Sequence, residues 1–122
     1  MTFNDWMMIL FGGFVLALLA LIVKFSLGIS GVDRAAARRK IKLGATVIDV
    51  RAPGEYGTGH YEGAKNIPLQ ELQNRLVEVG DRQNPIVVYC ASGARSAQAA
   101  VILSAAGFTD VTNAGGLKNL KR

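Results

Sequence analysis

An uncharged apolar run stands near the start of the chain. Residues 6–23 are 18 consecutive positions without a charge, between Asp5 and Lys24. As a helix this run is about 27 Å long, close to the hydrocarbon core of a bilayer at about 30 Å. A domain of this size can hardly enclose a helix that is apolar on every side, so a buried core helix is disfavoured. The pattern predicts a transmembrane helix at residues 6–24, after a short tail at residues 1–5.

Short apolar strands alternate with helical patterns in the rest of the chain. The predicted strands cover residues 46–50, 86–89 and 110–112, and the predicted helices cover residues 33–43, 69–79 and 95–106, with a turn at Pro53 and Gly54. This alternation is typical of an α/β fold with a parallel sheet flanked by helices. We therefore predict an α/β domain at residues 31–122, joined to the transmembrane helix by a short linker at residues 25–30. A linker of this length holds the domain close to the bilayer.

The composition limits the chemistry that one domain of 122 residues can perform. The chain has one cysteine and one histidine. An intrachain disulfide and a multi-cysteine zinc or iron–sulfur site are therefore excluded. We expect no cofactor and no metal.

Most of the positive charge lies in one segment beside the apolar run. Residues 33–42 contain five basic residues and one acidic residue, and they contribute +4 to the net charge of +5. Since the rest of the chain is nearly neutral, nucleic acid is not expected as a partner. The segment is either a topogenic signal on a solvated helix face or a contact for anionic membrane lipid.

The same charges predict the orientation of the apolar helix. No basic residue precedes the run, whereas several follow it, which predicts an outside N-terminus and a cytoplasmic domain in a single-pass cell-membrane protein. A cleavable signal peptide is disfavoured, because the run lacks a basic segment before it and an A-x-A site after it. A reducing cytosol also suits a single free thiol.

The one cysteine, Cys90, occupies a position that favours reactivity. It ends a predicted buried strand, and four small residues (Ala91, Ser92, Gly93, Ala94) separate it from Arg95 at the start of a helix. Backbone N–H groups of such a loop and the N-terminus of a helix stabilise a thiolate and lower the pKa of the thiol. Arg95 adds a guanidinium suited to an oxyanion. The alternative is a buried cysteine that packs as a small hydrophobic residue.

Several segments resemble the single-domain rhodanese-like sulfurtransferases. The resemblance rests on residues 49–51 (Asp-Val-Arg), on residues 55–68 from Glu55 to Pro68, on residues 90–96 (Cys-Ala-Ser-Gly-Ala-Arg-Ser), on Gly107, Phe108 and Val111, and on residues 115–117 (Gly-Gly-Leu). It extends from about residue 29 to the end of the chain. Leu120 lies in the region where the family often has tryptophan.

The resemblance implies roles for individual residues. Cys90 would form a persulfide, and the amides of residues 91–95 would hold the outer sulfur or a substrate oxyanion. Arg95 would bind the anion or, alternatively, pair with Glu55 and brace the loop. Four further residues would form a buried polar network at the ends of the strands, with the histidine structural rather than a general base: Asp49, Arg51, Glu55 and His60.

Three functions remain open from the sequence. The first is a membrane-anchored sulfurtransferase that moves sulfane sulfur from thiosulfate or a persulfide donor to cyanide or a thiol. The second is a non-enzymatic sulfur carrier or a docking module for a membrane protein or a thiol carrier protein. The third, a phosphatase or arsenate reductase, is disfavoured because Cys90 and Arg95 enclose four residues rather than the five that relatives with those activities use, and because Tyr89 replaces the usual histidine.

Overall fold

The alternation of strands and helices expected from the sequence is present. The structure is a computed structural model that describes residues 2–121, without the side chains of residues 24–30. The elements in chain order are α1 Phe3–Ser30, α2 Arg34–Lys42, β1 Thr46–Asp49, α3 Pro53–Gly57, β2 Lys65–Asn66, α4 Leu69–Leu72, α5 Leu76–Val79, β3 Ile86–Cys90, α6 Ala94–Ala105, β4 Val111–Gly116 and α7 Leu117–Leu120.

The four strands form one parallel sheet in the order β2-β1-β3-β4. Strand β3 lies in the interior of the sheet, and all five of its residues are buried. Its side chains alternate between two hydrophobic clusters, because successive residues of a strand point to opposite faces. One cluster contains Cys90 and residues of α4, α5 and α6, while the other contains Tyr89 and residues of α2 and α7. The predicted α/β fold with a parallel sheet flanked by helices is confirmed.

The prediction of one continuous helix at residues 69–79 is wrong. The region consists of the two short helices α4 and α5, with a break at Arg75, whose φ of −125° and ψ of 26° are not helical. The hydrophobic pattern does not reveal this break. Leu72 and Val79, the buried residues of the two helices, are seven positions apart. Residues at this spacing also lie on one face of a continuous helix, so the pattern fits both arrangements.

Two other elements differ from the expectation. The predicted turn at Pro53 and Gly54 is the first turn of α3, since proline is accepted at the start of a helix, where its missing N–H costs no hydrogen bond. The last strand is longer than residues 110–112 and continues through Gly115 and Gly116. Glycines in a strand often mark a close approach of another backbone.

That close approach occurs at Gly116, beside the loop that follows β3. A Cβ built on Gly116 would lie 2.5 Å from the carbonyl oxygen of Ala91. Gly116 has φ −85° and ψ 146°, a conformation that any residue adopts. Glycine is required here by space alone.

The N-terminal helix is longer than the predicted span. Residues Phe3–Val23 are long and apolar enough to cross a membrane, and the side chains of this segment are exposed. Its length and composition suit either a membrane anchor or a signal sequence. Helix α1 continues to Ser30, so the predicted linker at residues 25–30 falls within the helix, and its side chains lie outside the described part of the chain.

Helix α2 follows α1 directly and carries the basic segment. Asp33 caps the helix, because its carboxylate accepts a hydrogen bond from the Ala36 N–H at 2.9 Å. Lys40 pairs with Asp110 and donates to the Thr112 hydroxyl. The side chains of Arg34, Arg39 and Lys42 are exposed.

We expect Gly116→Ala to destabilise the domain by about 1–3 kcal/mol, because the added methyl group forces apart two backbones. The displaced backbone belongs to the loop beside Cys90, so reactivity of the thiol should change as well. Chemical denaturation of the variant in detergent measures the first effect. Gly54→Ala is the matched control, since a Cβ there meets nothing within 4 Å. Equal stabilities of the two variants would contradict the steric account.

Candidate active site

Cys90 ends β3 with its side chain fully buried, and the loop folds back over its sulfur. The N–H of Gly93 donates to Sγ at 2.9 Å. The thiol donates to Ser96 Oγ at 3.4 Å, and that hydroxyl donates to the Gly93 carbonyl at 3.1 Å. Gly93 has φ 105°, a left-handed conformation that glycine adopts without strain, so the loop can turn its amide towards the sulfur.

These contacts lower the pKa of the Cys90 thiol. Burial raises the pKa, but once deprotonated the sulfur accepts hydrogen bonds from the Ser96 hydroxyl, which then turns away from the Gly93 carbonyl, and from the backbone N–H groups of Ser96, Gly93 and Ser92, and these outweigh burial. The deprotonated thiolate is the nucleophilic form of cysteine. The arrangement therefore suits a reactive sulfur rather than an inert core residue.

The loop amides differ in how they relate to the sulfur. Those of Ser92 and Gly93 belong to the predicted set and stabilise the thiolate, and Ser96 adds a hydroxyl and an amide that were not predicted from the sequence. The carbonyl of Ala91 packs on Gly116, and Ala94 begins α6. Substrate binding by the amides of Ala91, Ser92, Gly93 and Ala94 stays a prediction.

Arg95 is engaged by Glu55 of α3. Its two terminal nitrogens donate to Oε1 and Oε2 of that carboxylate at 2.7 and 3.0 Å, a forked ion pair. The guanidinium of Arg95 and the N–H of Ala52 lower the pKa of Glu55 to about 2, so the pair is charged at neutral pH. The pair joins the first turn of α6, which follows the Cys90 loop, to α3.

Asp49 and Arg51 form the buried part of the predicted polar network. Arg51 donates to the Asp49 carboxylate through Nε (3.1 Å), Nη2 (2.7 Å) and its backbone N–H (2.9 Å), and Nη2 also donates to the Gly59 carbonyl. Tyr89 donates to Asp49 Oδ2 at 2.6 Å and accepts from the N–H of Tyr61. The sequence analysis did not assign Tyr89 to this network. Its position immediately before Cys90 on β3 is the one feature of the sequence that could have indicated this role.

The four residues expected in one network are divided among three places. Asp49 and Arg51 share one cluster, whereas Glu55 is half-exposed and pairs with Arg95. His60 stacks on Tyr56, with 3.7 Å between ring centroids, and its Nδ1 lies 2.9 Å from the Tyr56 carbonyl oxygen. These contacts accord with a structural role for the histidine. Within residues 2–121 no cluster of three or more acidic, histidine or cysteine side chains could hold a metal ion.

Comparison with known proteins identifies the fold family. The profile of the Rhodanese-like domain matches residues 33–122. The chain belongs to the rhodanese-like sulfurtransferase family. The thiosulfate sulfurtransferase PspE of Escherichia coli K12 is 49% identical over 74 residues, which are 60% of this chain and 71% of that protein.

Two further similarities cover different parts of the rhodanese-like chain. The uncharacterized protein YqhL of Bacillus subtilis is 34% identical over 119 residues, 94% of this chain and 90% of that protein, so the match includes most of α1. A solved structure described as a rhodanese with anions from E. coli is 47% identical, with a TM-score of 0.59, and covers 62% of this chain and 89% of that one. The match to the Rhodanese-like domain, at residues 33–122, includes Cys90.

The lowered pKa predicts that Cys90 titrates below the usual range of a cysteine thiol. Ser96→Ala removes a hydrogen bond that favours the thiolate, so the inflection should move to higher pH. Ultraviolet absorbance of the thiolate against pH measures this, with Cys90→Ser as the blank for tyrosine ionisation. Ser104→Ala, on the same helix, is the matched control and should leave the inflection in place. An unchanged inflection in Ser96→Ala would refute the assigned cause.

Proposed function

We propose that this protein is a membrane-anchored sulfurtransferase that moves sulfane sulfur from thiosulfate or a persulfide donor to cyanide or a thiol. The observation that carries the proposal is the Cys90 sulfur, held by the Gly93 N–H at 2.9 Å with its pKa lowered. The relative named thiosulfate sulfurtransferase supports the same chemistry.

The reaction proceeds in two displacements at sulfur. The Cys90 thiolate attacks the outer sulfur of thiosulfate, the S–S bond breaks, and sulfite leaves with the electron pair. The acceptor then attacks the outer sulfur of the Cys90 persulfide, and Cys90 leaves as a thiolate. Because a thiolate is already the attacking form, neither step requires a general base.

The loop residues bind the charge that accompanies these steps. The amides of Ala91, Ser92, Gly93 and Ala94 hold the outer sulfur or the substrate oxyanion, as backbone N–H groups do in other anion-binding loops. Asp49 and Arg51 fix the end of β1 beside β3, where Asp49 is opposite Tyr89. They act as positioning residues for the loop.

For Arg95 we propose bracing of the loop rather than direct binding of the anion. Both terminal nitrogens of Arg95 already donate to Glu55. Breaking a forked ion pair to bind thiosulfate would sacrifice contacts of the same kind that it creates. The negative charge of a Cys90 thiolate is nevertheless close enough to raise the pKa of Arg95, after the larger effect of Glu55.

The membrane arrangement is part of the proposal. Residues 6–24 anchor the chain, residues 1–5 lie outside, and the domain at residues 31–122 is cytoplasmic. Exposed Arg34, Arg39 and Lys42 follow the helix, where positive charge favours the cytoplasmic side and anionic lipid.

We expect Cys90→Ser to abolish thiosulfate:cyanide turnover and to remove the mass increase of one sulfur atom that thiosulfate produces on the unaltered chain. Intact-protein mass spectrometry and a turnover assay measure the two effects. Substantial residual turnover in Cys90→Ser would overturn the mechanism. Loading of the unaltered chain without turnover would favour the carrier alternative, and robust hydrolysis of p-nitrophenyl phosphate would favour a phosphatase.

The bracing role predicts that Arg95→Ala and Glu55→Gln behave alike. Each should slow formation and discharge of the persulfide by a similar factor, roughly tenfold, which corresponds to about 1.4 kcal/mol. Stopped-flow measurement of the two half-reactions in both variants tests this. If Arg95→Ala alone raised the KM for thiosulfate while Glu55→Gln left it unchanged, Arg95 would bind the substrate instead.

A reporter fusion tests the orientation. A fluorescent protein at the C-terminus should fluoresce in the cytoplasm, whereas alkaline phosphatase at the same place should be inactive. Replacing Arg34, Arg39 and Lys42 by serine removes part of the positive charge and should give a mixed orientation. An active phosphatase fusion on the unaltered chain would refute the cytoplasmic placement.

A further inference from the structure

Strand β4 contains a bulge near its end. The register of β4 against β3 shifts between Asn113 and Gly115, so Ala114 is an extra residue in β4. The Asn113 side chain holds this shape, because its Oδ1 accepts from the Gly115 N–H at 2.9 Å. Gly115 has φ 80°, in the left-handed region that glycine adopts without strain. Bulges are frequent next to active sites, where they change the direction of the chain.

The bulge brings Gly115 against Gly93 of the Cys90 loop. A Cβ built on Gly93 would lie 3.6 Å from the Gly115 Cα. The Gly93 carbonyl accepts from the Ala97 N–H at 3.1 Å, in the first turn of α6, which fixes one of its two peptide units. The other peptide unit contains the N–H that donates to the Cys90 sulfur. Because glycine rotates freely and has no side chain to anchor it, the direction of this N–H depends on what packs beside the two glycines.

The side chain of Val32 fills the space beside both glycines. A Cβ built on Gly115 would lie 3.0 Å from Val32 Cγ1, and a Cβ built on Gly93 would lie 3.9 Å from Val32 Cγ2. Val32 is 48% exposed, so only part of its side chain is covered by these contacts. A β-branched side chain has few rotamers, which makes valine a stiff support.

Val32 is itself held in place by backbone pairing. It forms a parallel bridge with Asn113, and the N–H of Asp33 donates to the Asn113 carbonyl at 2.9 Å. The Asp33 carboxylate then caps α2 through the Ala36 N–H. Asn113 thus fixes Val32 through its backbone and Gly115 through its side chain, so the support and the bulge that it supports are built on one residue.

We propose that Val32 is a positioning residue for the reaction at Cys90, and that its side chain holds Gly93 so that the Gly93 N–H stays directed at the sulfur. Val32 acts through Gly93 and not on the reacting atoms. It lies just before residues 33–122, which match the Rhodanese-like domain, so the support of the loop includes the chain that leaves α1. The inference rests on the proposed function for the reaction, whereas the titration of the thiol is independent of it.

Titration of the Cys90 thiol in Val32→Ala tests the positioning role. Alanine removes both methyl groups beside the two glycines, so the hydrogen bond from the Gly93 N–H to the thiolate should weaken. The inflection in ultraviolet absorbance should move to higher pH by about half a unit to one unit. Val32→Ile keeps the branched shape and should retain the inflection of the unaltered chain. No shift in Val32→Ala, or an equal shift in Val32→Ile, would overturn the proposal.

Val101→Ala is the matched control. Val101 of α6 is likewise a valine that is 48% exposed, so its truncation removes a similar amount of packing. The inflection of Cys90 should stay in place in this variant, while chemical denaturation in detergent compares the stability lost in the two alanine variants. If Val101→Ala moved the inflection as far as Val32→Ala does, general destabilisation would explain both shifts and the positioning role would be wrong.

Hydrogen exchange of the Gly93 amide tests the route through which Val32 acts. In Val32→Ala at fixed pH, this amide should exchange with deuterated solvent several-fold faster than in the unaltered chain, as measured by NMR in detergent micelles. The amide of Ala100, in the middle of α6, is the internal reference and should exchange at the same rate in both chains. An unchanged rate at Gly93 would overturn the proposal, because Val32 would then act by another route.

Single turnovers with thiosulfate separate this inference from the proposed function. At a pH below the inflection, Val32→Ala should form the persulfide several-fold more slowly than the unaltered chain, since less of Cys90 is thiolate. Equal rates in the two chains would overturn the role of Val32 and leave the sulfurtransferase intact. An unaltered chain that never forms a persulfide refutes the sulfurtransferase, and the titration and exchange experiments then decide the role of Val32 by themselves.

Discussion

The position of β3 between β1 and β4, paired on both edges and covered on both faces, is the constraint on which the site depends. The strand is fully buried, so its alternation places Cys90 in one hydrophobic cluster and Tyr89 in the other. Tyr89 reaches the Asp49 carboxylate on its side, and Cys90 reaches the amide of Gly93 on the other. The end of β3 thus positions both the reactive sulfur of Cys90 and the polar cluster of Tyr89 and Asp49 at the end of β1.

The loop after β3 is shaped by contacts on each of its sides. Gly116 leaves room for the Ala91 carbonyl, Val32 packs against Gly93, and the pair of Arg95 and Glu55 joins the start of α6 to α3. These contacts come from segments that are distant along the chain. Together they hold the amides of the loop towards the sulfur, which lowers the pKa of the thiol against the effect of burial. A preorganised cradle of this kind stabilises charge without reorganising during the reaction.

The segment that follows α1 packs beside the Cys90 loop. In open parallel sheets the carboxyl ends of the strands are the usual place for a site. Here Val32, which pairs with Asn113 on the outer edge of β4, packs against the loop at that end of the sheet. The attachment and the site therefore share a residue, since Val32, two positions after the end of α1, also contacts the loop.

The sequence by itself determined the α/β fold, the strands β1 and β3 to within a residue, the apolar helix and the position of Cys90 at a strand end. Each follows from local patterns: β-branched runs, an uncharged stretch, and small residues after a buried strand. It did not reveal β2, whose two residues, Lys65 and Asn66, carry no hydrophobic pattern. Nor did it reveal the break at Arg75.

Only the tertiary structure decided which polar residues meet. The family resemblance placed Asp49, Arg51, Glu55 and His60 in one network and left open whether Arg95 pairs with Glu55. In the structure Glu55 pairs with Arg95, forty residues away, and Asp49 binds Tyr89 at the same separation. The contact of Val32 with Gly93 and Gly115 is likewise invisible in the chain order. Such partners depend on strand register and on the path of the loops, which arise when the whole sheet assembles and not from the pattern of any one segment.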